Sequence, residues 1–138
     1  MTWRYSGDYK GGLSGGHEGQ MIKDGYPGAG NILIFDNGSE ENHHGESYIL
    51  EVNPVTKKIV WVYDQGGKLF SKYRGAVTRL PNGNTLVSED ERARIVEISP
   101  KKEVVWEFHG SKFGFNNGTR AERYGLNYCK KFNLMSSP

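Results

Sequence analysis

Ile49-Leu50-Glu51-Val52-Asn53-Pro54, followed by Lys58-Ile59-Val60-Trp61, returns as Ile95-Val96-Glu97-Ile98-Ser99-Pro100 followed by Glu103-Val104-Val105-Trp106. The interval is about 46 residues, and an earlier echo precedes each copy: Gly30-Asn31-Ile32-Leu33-Ile34 and Gly83-Asn84-Thr85-Leu86-Val87. Trp3-Arg4-Tyr5 repeats the closing phrase of Trp61-Val62-Tyr63 and Trp106-Glu107-Phe108, each with an aromatic two residues after the tryptophan. Several short strands per unit at such a period are the signature of propeller blades. The chain is expected to open on the last strand of one unit and to carry two whole ones.

Within a unit, apolar and polar residues alternate with period two, as a half-buried strand requires. Ile49, Glu51 and Asn53 point one way, Leu50 and Val52 the other. Asn53-Pro54 and Ser99-Pro100 read as hairpin turns because proline presets φ. Pro81-Asn82-Gly83-Asn84 is a further turn, with glycine or asparagine able to take positive φ. Strands are expected at 17–23, 31–36, 47–53, 58–64, 75–80, 84–89, 93–98 and 103–108. No segment carries a capped 3.6-residue apolar period, so the fold class is all-β, built from β-propeller blades of four antiparallel strands.

Residues 1–10 are assigned to the end of a preceding blade, 11–65 and 66–110 to whole blades, and 111–138 to a C-terminal sealing segment. Phe113, Phe115, Tyr124, Tyr128 and Phe132 are available to pack that segment across the sheets. Such a sheet cannot bury both faces alone, and a ring of roughly four or more blades is the usual solution. Assembly into a homo-oligomer, or completion by other propeller blades, is therefore expected. A dimer with three strand clusters per chain would hold six. Without a cover, apolar strands such as Ile32-Leu33-Ile34 and Val104-Val105 would be left open.

At 138 residues one domain with a sizeable core is expected. A formal charge of +2, with lysines spread through turns, gives no basis for nucleic acid or an anionic membrane as partner. No apolar run approaches the roughly 20 residues of a membrane span, and the first residues lack a signal-peptide h-region. Cys129 is the single cysteine, which excludes an internal disulfide and leaves the redox compartment open.

Aligning Ile22 with Leu80 places His17 opposite Gly75, so the repeat can be built without that histidine. It follows Gly11-Gly12-Leu13-Ser14-Gly15-Gly16 at the start of an innermost strand, where propellers bind ligands. Imidazole there can serve as base, nucleophile or metal ligand. A hydrogen-bonded structural histidine is the plainer reading of the spacing alone.

The stretch from Phe35 to His44 is an insertion relative to the second unit. Asp36, Asn37, Ser39 and Glu40 offer oxygen ligands for Ca²⁺, and His43 with His44 offers imidazoles for a transition metal. Their spacing matches no recognised loop, so a solvated polar loop is the expectation, with no metal or cofactor assigned. Ser14 lacks a nucleophile elbow, Cys129 lacks a neighbour that would activate it, and no helix follows the glycine run to make a phosphate loop.

His17, with Gly30-Asn31-Ile32-Leu33-Ile34-Phe35-Asp36-Asn37-Gly38, resembles the histidine and "FDNG" segment of the bacterial arylsulfotransferase family. The likeness continues through Tyr48–Pro54, Ile59–Tyr63 and Arg79–Leu86. Arg120-Ala121-Glu122-Arg123-Tyr124 resembles the family's C-terminal "YRAxRY" stretch, with Thr119 at the place of its first tyrosine. It covers roughly residues 3–128, and the ordered run of motifs is what is specific.

The resemblance implies the C-terminal third of a six-bladed propeller, with a periplasmic or secreted setting. It implies sulfuryl transfer between aryl sulfates and phenols without a nucleotide donor, through a covalent histidine intermediate. His17 occupies the matching position, which makes it the catalytic candidate. The family's other funnel residues, two histidines, an arginine and an asparagine, lie in earlier blades. Arg74, Arg79 and Arg120 match none of them. Slow transfer, or none, is expected from the chain by itself. The alternative is a noncatalytic propeller segment that acts in assembly or ligand binding.

Overall fold

The computed structural model describes residues 2–39, 41, 45–65, 68–118, 120–125 and 128. Eight strands follow in chain order: β1 (Gly16–Met21), β2 (Ile32–Asp36), β3 (Tyr48–Val52), β4 (Ile59–Tyr63), β5 (Ala76–Arg79), β6 (Thr85–Glu89), β7 (Arg94–Ile98) and β8 (Val104–His109). They make two antiparallel four-stranded sheets, β1-β2-β3-β4 and β5-β6-β7-β8. Other regular structure among the described residues amounts to two 3₁₀ turns and a helical position at Glu41. The all-β expectation holds, and each expected strand lies within a residue or two of an observed one.

The repeat reappears in the register. Leu33 pairs with Glu51 as Leu86 pairs with Glu97, and Glu51 pairs with Trp61 as Glu97 pairs with Trp106. Each outer ladder then shifts, between Glu51 and Val52 and between Glu97 and Ile98. The two indoles therefore occupy equivalent positions. Trp61 Nε1 donates to the Pro100 carbonyl at 3.0 Å, and Trp3 Nε1 donates to that of Pro54 at 2.8 Å. Trp3 also stacks on Tyr5 as Trp61 stacks on Tyr63, with ring centroids 6.0 and 6.2 Å apart. The N-terminal segment thus reproduces the contacts of β4 without pairing as a strand.

The first hairpin of each sheet closes with the same bonds. Ile22 N–H donates to the Asn31 carbonyl and Leu80 N–H to that of Asn84, both at 2.8 Å. Gly30 and Gly83 take φ of 83° and 88° at the corner, a conformation that costs glycine no steric strain.

The core lies between the sheets. Leu33, Phe35, Ile49 and Tyr63 interlock with Val77, Val87, Val96 and Ile98. Each large side chain buried there contributes about 1.5–3 kcal/mol. A second cluster, Ile34, Tyr48, Leu50 and Val52, lies on the other face of the first sheet under Tyr5, Tyr9 and Leu13. This cover holds partly through Tyr9, whose hydroxyl donates to Asp64 at 2.6 Å. Burial, reinforced by Asp64, pushes the Tyr9 phenol up to about 12.

Two expectations change. The alternation in β3 predicts a half-buried strand, yet all five of its residues are buried, because the N-terminal segment and the second sheet cover opposite faces. Leu33 and Ile34 are covered for the same reason, whereas Val105 and Trp106 on β8 stay exposed. The buried Glu51 carboxylate is held by Asn31 Nδ2 at 2.7 Å and by the Arg79 guanidinium. A charge in that position needs such partners.

Residues 120–124 of the C-terminal segment lie on the second sheet in the manner of a strand of the repeat. Arg123 ion-pairs with buried Glu97, and its guanidinium carbon lies 5.5 Å from the Trp106 ring centroid. Arg79 of β5 ion-pairs with Glu51 and lies 5.8 Å from the Trp61 ring centroid. Asn84 Nδ2 supports Glu97 at 2.6 Å, as Asn31 supports Glu51. Each docked stretch also has a backbone N–H taken by a side chain of the preceding sheet, though from different strands: Ala121 N–H donates to Ser88 Oγ of β6 and Val77 N–H to Glu18 Oε2 of β1, both at 2.9 Å. Residues 120–124 therefore dock on the second sheet as β5 docks on the first. Of the aromatic packing expected of this segment, Phe113 stacks on Phe108 of β8 at 5.3 Å between ring centroids, and Tyr124 stacks on Tyr128 at 4.1 Å. Phe113, Phe115, Tyr124 and Tyr128 stay mostly exposed, while guanidinium–carboxylate pairs hold the chain. Phe132 lies outside the described residues.

Candidate functional site

β1 and β5 are the first edge strands of their sheets, and His17 interrupts the regular pairing of β1. Gly16 pairs with Asp36 and Glu18 with Phe35, so His17 is an extra residue at a bulge. A bulge turns the side chain it carries away from the pleat. The imidazole is accordingly exposed. The approach to the bulge is fixed from behind: the Asp36 carboxylate accepts the Ser14 N–H at 3.0 and 3.1 Å. Beyond it, Glu18 accepts the Val77 N–H, and Gln20 Nε2 donates to Val77 O and, at 3.1 Å, to Thr78 Oγ1. Side chains of one edge strand thereby bind the next.

His17 lines two cavities. One, of about 240 Å³, is bounded by His17, Glu18, Gly75, Ala76 and Arg120. The other, of about 350 Å³, is largely apolar, with Trp3, Leu13, Met21 and Ile34 among its walls. A third cavity, of about 460 Å³, runs from Gln20 and Thr78 to Arg120, Tyr124 and Tyr128 without touching His17.

Glycine at 75 lines the smallest cavity. Ala76 pairs with Ser88 as Glu18 pairs with Phe35, so Gly75 is the repeat counterpart of His17, as the alignment predicts. Its φ is 121°, and a Cβ there would lie 2.7 Å from Phe35 Cζ. Phe35 is fully buried and cannot withdraw. A side chain at 75 would press on that ring, so the wall of the cavity beside His17 is bare backbone at this position.

Of the three arginines noted in the sequence, only Arg120 enters this cavity. Arg79 is committed to Glu51 in the core, and Arg74 pairs with Asp90 at 3.4 Å. Arg120 ion-pairs with Glu18, and about half its side chain stays in solvent. The cavity therefore gathers an imidazole, a carboxylate and a guanidinium. The sequence reading set Arg120 apart from the site. The parallel that would have placed it is Arg123-Tyr124 with Arg79-Leu80, which aligns residues 120–124 with β5.

The loop after β2 does not behave as a solvated surface connection at its start. Asp36 and Asn37 are buried: Asp36 holds Ser14, while Asn37 Nδ2 donates to the carbonyls of Ser71 at 2.6 Å and Arg74 at 2.5 Å. Ser14 Oγ and Ser39 Oγ are 2.7 Å apart. These groups knit the loop to its surroundings. Among the described residues no group of three or more His, Cys, Asp or Glu is placed to hold a metal ion. Glu40, His43, His44 and Cys129 lie outside the described residues. No helix among the described residues is long and apolar enough to cross a membrane.

A family model described as arylsulfotransferase (ASST) matches residues 7–112. That stretch holds both sheets and His17 and ends before Arg120. No curated protein and no solved structure matches the chain.

Proposed function

We propose a sulfuryl-transfer role for this chain, which belongs to the arylsulfotransferase (ASST) family. His17 would take a sulfuryl group from an aryl sulfate and pass it to a phenol, in a site completed by further propeller blades. The observation that carries this reading is the exposed imidazole on the β1 bulge, open both to an apolar cleft and to a cavity with a guanidinium in its wall.

The chemistry suits imidazole. A neutral ring nitrogen attacks sulfur, an N–S bond forms, and the S–O bond to the aryl group breaks, with the electron pair leaving on the phenolate. In the second step an acceptor phenol oxygen attacks sulfur, the N–S bond breaks, and the ring returns to its neutral form after the phenol proton is lost. Dividing the reaction into two displacements is what a nucleophilic side chain contributes. The apolar cleft beside Trp3, Leu13 and Ile34 suits the aryl ring.

The test is acceptor-dependent release of 4-nitrophenolate from 4-nitrophenyl sulfate. Ping-pong dependence on donor and acceptor, lost in His17→Ala, is the expected result. A noncatalytic assembly module is the second reading, favoured by exposed Val105 and Trp106 on the free face of β8. Release unaffected by His17→Ala, or none under any acceptor once the chain is assembled with the blades that complete its site, would select it.

A further inference from the structure

We infer that Arg120, carried into place by the C-terminal segment, is the oxyanion-binding group of the His17 cavity, whose ligands are aryl sulfates and sulfonates. The inference rests on the reading of His17 as the reacting group for its substrate class, but the binding site itself is argued from geometry.

Three observations meet here. The cavity of about 240 Å³ beside His17 has Gly75 and Ala76 in its wall, which bring little side chain to it, so it has room for a tetrahedral anion. Arg120 stands in its wall with about half its side chain in solvent, and Glu18 occupies only part of a guanidinium that has five N–H donors. The remaining donors suit the planar, bidentate recognition of an oxyanion. Finally, the chain is anchored directly after the arginine: Ala121 N–H is bound to Ser88, and Arg123 is locked between Glu97 and the Trp106 ring. An arginine on a docked strand loses less freedom on binding than one on a loose tail. Arg120 also lines the larger cavity with Tyr124 and Tyr128, so aromatic rings share a wall with its guanidinium.

Glu18 sets the sign of a decisive test. It competes with the ligand for Arg120, whereas a purely structural Arg120–Glu18 latch would be weakened alike by loss of either partner. The probes are 2-naphthalenesulfonate, whose C–S bond does not transfer, and neutral 2-naphthol, titrated into the protein with the His17 ring resonances and the binding heat as readouts. Saturable sulfonate binding that moves the His17 resonances is expected, with 2-naphthol at least tenfold weaker. Arg120→Met is expected to weaken sulfonate binding about tenfold or more, the range for one charge-assisted contact. Arg120→Lys keeps the charge and is expected to recover part of the loss. Glu18→Gln, which preserves an acceptor for the Val77 N–H, is expected to tighten binding.

Sulfonate affinity unchanged in Arg120→Met, or moved in the same direction by Arg120→Met and Glu18→Gln, would overturn the site. So would the absence of binding to the wild-type chain. The two readings separate cleanly. Arg120-dependent sulfonate binding without any sulfuryl adduct on His17 leaves the anion site standing and removes the transfer reaction. An adduct formed equally fast with and without Arg120 does the reverse.

Discussion

Arg123 stands to Glu97 as Arg79 stands to Glu51: each guanidinium pairs with a buried carboxylate on the third strand of the preceding sheet and covers the tryptophan opposite it. The equivalence places residues 120–124 against the second sheet where the repeat places β5 against the first. It also explains how a residue beyond the last sheet reaches His17.

The two pairs differ in burial, and so in what their loss should do. Arg79 and Glu51 are both nearly inaccessible. Arg79→Met leaves the Glu51 carboxylate with Asn31, and a cost of about 3–5 kcal/mol in urea unfolding is expected. Arg123 is half in solvent, so Arg123→Met should cost about 1 kcal/mol or less of global stability. It should instead release residues 120–124 to limited proteolysis. Equal global effects, or a segment no easier to cleave, would break the equivalence.

Gly75 offers a second comparison. Gly75→Ala forces a methyl to within 2.7 Å of the buried Phe35 ring at a φ of 121°, and a loss of roughly 2 kcal/mol or more is expected. Gly25 also has positive φ, 81°, but its Cβ position is open, so Gly25→Ala should cost only about 1 kcal/mol. Thermal melts of the two variants check the difference. Similar losses would mean that Phe35 yields and that the wall beside His17 is not fixed.

Alkaline stability follows from two tyrosines. Burial pushes the Tyr63 phenol up to about 12 against an opposing pull from Arg94, and Tyr9 is raised to about 12 by burial and Asp64. A group whose folded value lies above its unfolded one stabilises fully below the unfolded value, near 10. That contribution should disappear as pH rises from about 10 through about 12. Tyr63→Phe should flatten this part of the stability profile. A wild-type profile with no decline in that interval would contradict it.

The repeat was legible because each element of it has a local cause. Proline turns, Gly-Asn corners and period-two strands leave marks in the sequence, and the Trp61 and Trp106 phrases carry their register with them. His17 could be found as the histidine that the second unit replaces with Gly75. Its bulge could not, since an extra residue shows only once β1 is paired with β2. The aromatic-rich tail suggested apolar packing, whereas Arg120 and Arg123 hold it through long-range partners that no period announces. The burial of Glu51, Asp36 and Asn37 was hidden for the same reason: the groups that satisfy them come from other segments.

The most direct measurement is to treat the protein with excess 4-nitrophenyl sulfate in the absence of acceptor and map the products by mass spectrometry under alkaline conditions. Onward transfer then has only the released nitrophenolate, a weak nucleophile outnumbered by donor, so the covalent species should accumulate. One sulfuryl group on the peptide containing His17, matched by one equivalent of nitrophenolate and absent in His17→Ala, is the predicted result. Wild-type protein that gains no sulfuryl group, or gains it on another residue and keeps it in His17→Ala, would contradict the account.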